Sequence, residues 1–150
     1  MSLSKKPGLP SRLLVGLVSA ALAMPAMVPV AYAQSSQQSG AAQLSQAQLS
    51  ALVAPIALYP DSLVSQVLMA STYPLEVAEA SSWQKANSGL KGNALNQALQ
   101  QQTWDASVKS LVSFPPVLNM MGSELSWTQN LGNAVLAQQS DVMNAIQALR

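Results

Sequence analysis

Apolar residues recur at helical spacing from Ser45 to the end of the chain. Leu49, Leu52, Val53 and Ile56 fall at i, i+3, i+4 and i+7, so they share one face of a helix. Ser45, followed three residues later by Gln48, forms a capping box that marks where this helix begins. Pro55 kinks or ends it, because the ring removes a backbone donor and crowds the preceding turn. Tyr59-Pro60-Asp61 then restarts the chain: Pro suits a first helical turn, and an early Asp complements the positive end of a helix. Leu63, Val64, Val67 and Leu68 make the next apolar stripe.

Tyr73-Pro74 repeats the device, and the spacing predicts a helix from Pro74 to about Ala86 carrying Val77, Ala80 and Trp83. Asn87-Ser88-Gly89 supplies the chemistry of a helix C-terminus. Asn93 is placed to cap a short helix bearing Leu95, Ala98 and Leu99, and Asp105 to cap another bearing Val108, Leu111 and Val112. Phe114-Pro115-Pro116 is a third aromatic-Pro corner, followed by a short segment through Met121 that stops near Gly122. Ser123 is placed to cap a longer helix with Trp127, Leu131 and Val135 on one side. Ser140-Asp141 opens the last helix, with Val142, Ile146 and Leu149 in phase.

No stretch alternates between apolar and polar residues with hairpin turns at its ends, so strands are not expected. The expected fold is all-α: a compact array of about seven or eight short helices joined by aromatic-Pro corners. The segments 57–64 and 112–118 look alike around their aromatic-Pro pairs, which hints at a duplicated helix-corner-helix unit.

Ahead of this periodic region the pattern is different. Lys5, Lys6 and Arg12 give a basic start, and Leu13 to Met24 is an unbroken run of apolar or small residues. Pro25 and Pro29 break any helix there, and Ala31-Tyr32-Ala33 has the small-x-small form that signal peptidase reads. A spanning helix needs about 20 apolar residues and the Pro-free run is about twelve, so cleavage is expected rather than anchoring. Residues 1–33 therefore read as a signal peptide cut after Ala33, with Gln34 as the new N-terminus. Residues 34–44 read as a short disordered linker rich in Gln and Ser, and 45–150 as the all-α domain. The chain contains no Cys, which rules out a lipid on a processed N-terminal Cys, and no twin-Arg pair, so the general secretion route to the periplasm is expected.

Composition narrows the chemistry. Three of the seven basic residues lie in the signal, so the part after it carries Lys85, Lys91, Lys109 and Arg150 against all six acidic residues. No cluster of Lys and Arg is left to neutralise phosphates, which argues against a nucleic-acid partner. The chain has no His and no Cys, so Ser-His-Asp and Cys-His nucleophiles and thiolate or imidazole metal sites are excluded. No Gly-rich phosphate cradle or Ca²⁺ loop is present, and no cofactor or metal is expected. Carboxylates remain. Glu76 and Glu79 share one face of a predicted helix, and a pair like this can do acid-base work only if burial raises one pKa. With Glu124 they are the candidates for a small glycan-active enzyme; a solvated face near a helix N-terminus explains the pair as well.

The aromatic-Pro corners are the most distinctive feature. Tyr59-Pro60, Tyr73-Pro74 and Phe114-Pro115 are the candidate interaction surface; each aromatic also suits a hydrophobic staple packing at a helix start. Trp83, Trp104 and Trp127 are expected in the core with their indole N–H groups satisfied internally. Met120-Met121 suits either an adaptable groove or a core gap.

Four ordered strings bear a resemblance to a known family. Residues 52–61 (LVAPIALYPD), 68–77 (LMASTYPLEV), Trp104-Asp105 with 107–112 (SVKSLV), and Trp127-Thr128-Gln129 resemble the successive blocks of a bacterial envelope family of exported proteins known as domain of unknown function 3300. The resemblance runs from about Leu44 to Arg150. It implies an exported α-helical domain from a Gram-negative bacterium and implies no activity. Members continue into a Pro/Tyr/Val-rich and then low-complexity tail, so this chain is expected to be a short or truncated member.

The functional expectation is an exported periplasmic helical module without catalytic activity, which binds an envelope protein or cell-wall component. The alternatives are a carboxylate-dependent glycan-active enzyme and a structural spacer. No membrane span is expected after cleavage, and oligomeric state is not specified by the pattern.

Overall fold

The capping box sets the first helix. Ser45 Oγ accepts from the Gln48 backbone N–H at 3.3 Å, and Gln48 Oε1 accepts from the Ser45 N–H at 2.9 Å. Helix α1 (Gln46–Val53) ends just before Pro55, which cannot extend the ladder. The remaining elements are α2 (Asp61–Ala70), α3 (Pro74–Ala86), α4 (Gly92–Gln100), α5 (Ala106–Leu111), α6 (Pro115–Ser123) and α7 (Leu125–Ala148). This is a computed structural model that describes residues 43–150, and within them there are seven helices and no strand. The signal peptide 1–33, its cleavage residues Ala31, Ala33 and Gln34, and linker residues 34–42 lie outside the described residues.

The helices pair rather than layer. α1 packs along α7, α2 on α5, and α3 on α6, with α7 also touching α2, α3 and α6. One continuous core results, with Leu49, Ile56, Leu111, Leu118, Met121, Leu131 and Ile146 fully buried. Each such side chain contributes roughly 1.5–3 kcal/mol by leaving water, so the in-phase apolar stripes supply the main drive for pairing. No cysteine cross-link assists them.

Several helix ends differ from the expected ones. Ser123 closes α6 instead of capping the next helix; Glu124 stands between α6 and α7, with no side-chain cap bond. Asn93 does not cap α4, which begins one residue earlier at Gly92, where φ is +58° and only Gly is unstrained. Gly122 lies one residue before the end of α6, where the segment was expected to stop. It lets α3 and α6 approach, because a Cβ there would sit 2.5 Å from Ser81 Cβ. Leu149, expected inward, is 40% exposed beyond the end of α7. The two final helices anticipated around Ser140-Asp141 follow one another within α7, divided at Gln138, whose φ and ψ of −150° and 53° are not helical; the break falls two residues before Ser140.

A duplication is present, but in another register. The chain returns to the same backbone after 41 residues, from Tyr73 to Phe114. Both aromatics are the residue before a helix-starting Pro, with φ, ψ of −121°, 61° and −122°, 67°. Tyr73 N–H bonds Ala70 O and Phe114 N–H bonds Leu111 O, each at 2.9 Å. Pro60 does not match them: it is itself the capping residue of α2, at φ −55° and ψ 146°. The repeated unit is therefore α2-corner-α3 and α5-corner-α6. Its copies pair like with like, α2 on α5 and α3 on α6, as an internal twofold requires. Ser81 and Gly122 are equivalent positions and meet where α3 and α6 cross.

Candidate interaction site

The three aromatic-Pro corners differ in setting and exposure. Tyr59 and Tyr73 stand at opposite ends of ten-residue α2, about 15 Å apart at 1.5 Å per residue. Tyr59 is half-buried against the core, and its carbonyl accepts from Arg150 Nη2 at 2.9 Å. Arg150 also donates from Nε to Ala57 O at 2.8 Å and pairs through Nη1 with Asp61. That guanidinium holds the Tyr59-Pro60 turn from one side. Tyr73 and Phe114, in contrast, are 39% and 43% exposed.

Each of these two corners opens into a cavity, and the two cavities are built from the same positions. Ser71, Thr72 and Pro74 form one wall of a cavity of about 300 Å³. Their equivalents Val112, Ser113 and Pro115 form a wall of a cavity of about 220 Å³. The opposite wall of the first is Gln129, Gly132, Asn133 and Leu136 of α7. The opposite wall of the second includes Ser88, Lys91, Gly92 and Leu95, the equivalents of those four. Each cavity thus joins the corner of one copy to the segment following the other, the exchange that a twofold produces.

The second cavity carries chemistry that its twin lacks. Trp83, Gln84 and Asn87 also line it. The position equivalent to Trp83 is Glu124, and that equivalent to Lys91 is Gly132, so the first cavity has neither aromatic nor cation. Trp83 also departs from the expectation that all three indole N–H groups are satisfied internally. Trp104 Nε1 donates to Glu79 Oε2 at 3.1 Å and Trp127 Nε1 donates to the Leu52 carbonyl at 2.8 Å. The Trp83 N–H has no acceptor among the described residues, while its ring meets Trp104 edge-to-face at 5.8 Å between centroids.

The candidate carboxylates are engaged structurally. Glu76 Oε2 accepts from the Asp105 backbone N–H at 2.6 Å, one turn from Glu79 with its Trp104 contact. Together they bind α3 to the turn that starts α5. Asp105 in turn caps α5, accepting from the Ser107 N–H at 2.9 Å and the Ser107 hydroxyl at 2.5 Å. Those bonds hold the Asp105 carboxyl below its usual value of 3.8. Glu124 is exposed at the α6–α7 junction and makes no side-chain cap bond there. Met121 is fully buried and Met120 packs against the core, so this pair fills a gap and lines none of the cavities described.

A further groove of about 520 Å³, which sequence reasoning missed, runs between α1 and α7. Its floor is Ala51, Leu52, Ala134 and Ala137, and its rim carries the amides of Gln48, Asn130 and Asn133. At one end Gln138 grips the chain: its Oε1 accepts from the Leu44 N–H at 2.7 Å, and its Nε2 donates to the Leu44 carbonyl at 3.0 Å. Leu44, assigned from sequence to the linker, is thereby bound to α7 at its kink. The amide and small-residue spacing of 130, 133, 134 and 137 on α7 is the signal that could have located this groove.

The fold and these cavities define an all-helical module with an internally duplicated corner. The chain belongs to the family described as "Protein of unknown function (DUF3300)", which it matches over residues 45–150. It is 57% identical over 106 residues to the "Uncharacterized protein YacH" of Escherichia coli (strain K12). That match covers 71% of this chain and 17% of the relative, so the chain spans less than a fifth of that protein's length in the match. No solved structure matches it.

Proposed function

We propose that the chain is an exported periplasmic module that binds a component of the Gram-negative envelope and catalyses no reaction. The observation that carries this reading is how the side chains are used. Glu76 and Glu79 are committed to N–H donors on the α5 turn, which favours a structural role over proton transfer. The three cavities are lined by amides, hydroxyls and apolar groups, with Lys91 their one charged residue. Orientation by neutral hydrogen bonds within a partly apolar cleft is what a binding site needs. Among the described residues no helix is long and apolar enough to cross a membrane. The kinship with an Escherichia coli protein supports a Gram-negative setting.

Expression of the full chain in a Gram-negative host tests both halves. The reading expects the protein in the osmotic-shock fraction with an intact mass lacking residues 1–33. A photoreactive residue at Tyr73 or Phe114 should crosslink in living cells to an envelope component, and one at Tyr59, held by Arg150, should not. Retention of residues 1–33, or equal crosslinking from all three corners, counts against it.

A further inference from the structure

We propose that the cavity at the Phe114-Pro115 corner is a saccharide subsite, selective for a sugar that bears a carboxylate. This names the ligand class of the module proposed above and rests on its being a binding module. Three observations converge there. The first is the state of Trp83: of the three indoles only its N–H lacks an acceptor among the described residues, and its ring forms part of the cavity wall. The second is that this wall is held in place before any ligand arrives. Trp104 abuts Trp83 edge-to-face and is itself fixed to Glu79, and Asn87 Nδ2 donates to the Trp83 carbonyl at 2.8 Å. An aromatic already held in its bound orientation loses little entropy on binding. The third is the internal control. The twin cavity repeats the backbone positions without an aromatic or a cation, so Trp83, which also packs against the core, and Lys91 set this cavity apart from its twin.

The chemistry of those additions is that of sugar recognition. A pyranose presents C–H groups to an indole surface and hydroxyls around its edge, a combination matched by an amphipathic aromatic beside amides. The free Trp83 N–H and the Gln84 amide supply donors. Asn87, with its Nδ2 engaged, keeps Oδ1 as an acceptor toward a hydroxyl. Ser113 stands on the facing wall, and the volume of about 220 Å³ suits a single ring. Lys91 has no ion-pair partner among the described residues and lines the same cavity, so its ammonium is available to pair with a sugar carboxylate.

The test is calorimetric titration of the exported protein with a hexuronic-acid trisaccharide and with the matching neutral hexose trisaccharide. The expected result is saturable binding of the acidic sugar, at least fivefold tighter than the neutral one. Lys91→Gln should remove that preference, and Trp83→Phe, which keeps an aromatic but loses the N–H, should weaken both sugars about tenfold. Gln129→Ala, on the twin cavity, should change neither. No saturable binding, equal affinity for the two sugars, or variants that bind like the parent would overturn the assignment. If export and corner-specific crosslinking hold while the sugars fail, only the ligand class is lost. If the sugars bind but the chain is not exported, the envelope reading is lost instead.

Discussion

The Tyr73-Pro74 and Phe114-Pro115 corners have the same backbone and different lids. At the first, α7 lies directly on the corner: Gly132 faces the Ser71 carbonyl so closely that any Cβ would overlap it. At the second, the equivalent position is Lys91, and the chain there is a loop feeding α4. Beside the first cleft backbone meets backbone, while the second cleft is lined in addition by Trp83 and Lys91. The two clefts use equivalent positions, and they differ in the side chains those positions carry. Function is therefore better sought in the differences between the copies than in the aromatic-Pro pair they share.

The strongest test of that contrast exchanges bulk at equivalent positions. Gly132→Val should destabilise the domain by about 3 kcal/mol or more, because the clash is with backbone that cannot rotate away. Lys91→Val, at the twin position, is exposed and should shift stability by less than about 0.5 kcal/mol. Urea unfolding of both variants measures the difference, and similar losses would mean that the two corners are closed alike.

A smaller effect probes the axis itself. Gly122→Ala places a methyl group against Ser81, and Ser81 bonds Asn119 Oδ1 through its hydroxyl at 3.0 Å. A cost of about 1–3 kcal/mol is expected. Ser81→Gly in the same chain should recover most of it, since the methyl then takes the space left by the hydroxymethyl group. A double-mutant cycle reads the coupling directly, and additive losses would deny that the two equivalents touch.

Much of this architecture was legible beforehand, for identifiable reasons. The Ser45/Gln48 box, Pro at the start of α3 and α6, and the Asp105 cap are local devices whose partners lie within four residues, so the pattern alone specifies them. The register of the duplication was not legible. Tyr59-Pro60 and Phe114-Pro115 look alike as letters, yet only the backbone distinguishes a Pro that caps a helix from one that begins it. The roles of Glu76 and Glu79 depend on Trp104 and Asp105, more than twenty residues away, and which indole lacks an acceptor among the described residues depends on where each tryptophan lies in the fold. Gly122 marks the end of α6 in the sequence, but its contact with Ser81 becomes visible only in the fold. Local grammar gave the helices; the site required their pairing.

Trp104 links the two copies of the unit to the Trp83 wall, and its anchor can be removed alone. Glu79→Ala deletes the acceptor for the Trp104 N–H and should cost about 1 kcal/mol. It should also reduce the near-ultraviolet circular dichroism of the Trp83–Trp104 pair. An unchanged spectrum would mean that packing alone orients Trp104.

The smallest expected effect lies where the copies differ in length. α2 continues through Val64, whereas α5 begins at the equivalent residue, Asp105, which caps it. Asp105→Ala should cost about 1 kcal/mol near neutral pH, the usual value of a cap. Its pH dependence follows from the lowered pKa, caused first by the Ser107 hydroxyl, then by the Ser107 N–H. A carboxyl with a lower pKa folded than unfolded stabilises the fold above the unfolded value, and this contribution fades as pH falls through the folded one. The gap between parent and Asp105→Ala stability should therefore be constant above about pH 5 and shrink below the usual 3.8. Val64→Ala, at the uncharged twin position, removes buried methyl groups and should leave a gap independent of pH over the same range. Urea titrations of the three proteins between pH 3 and pH 7 measure both gaps; parallel acid limbs for Asp105→Ala and the parent would show that the cap acts through geometry and not through its charge.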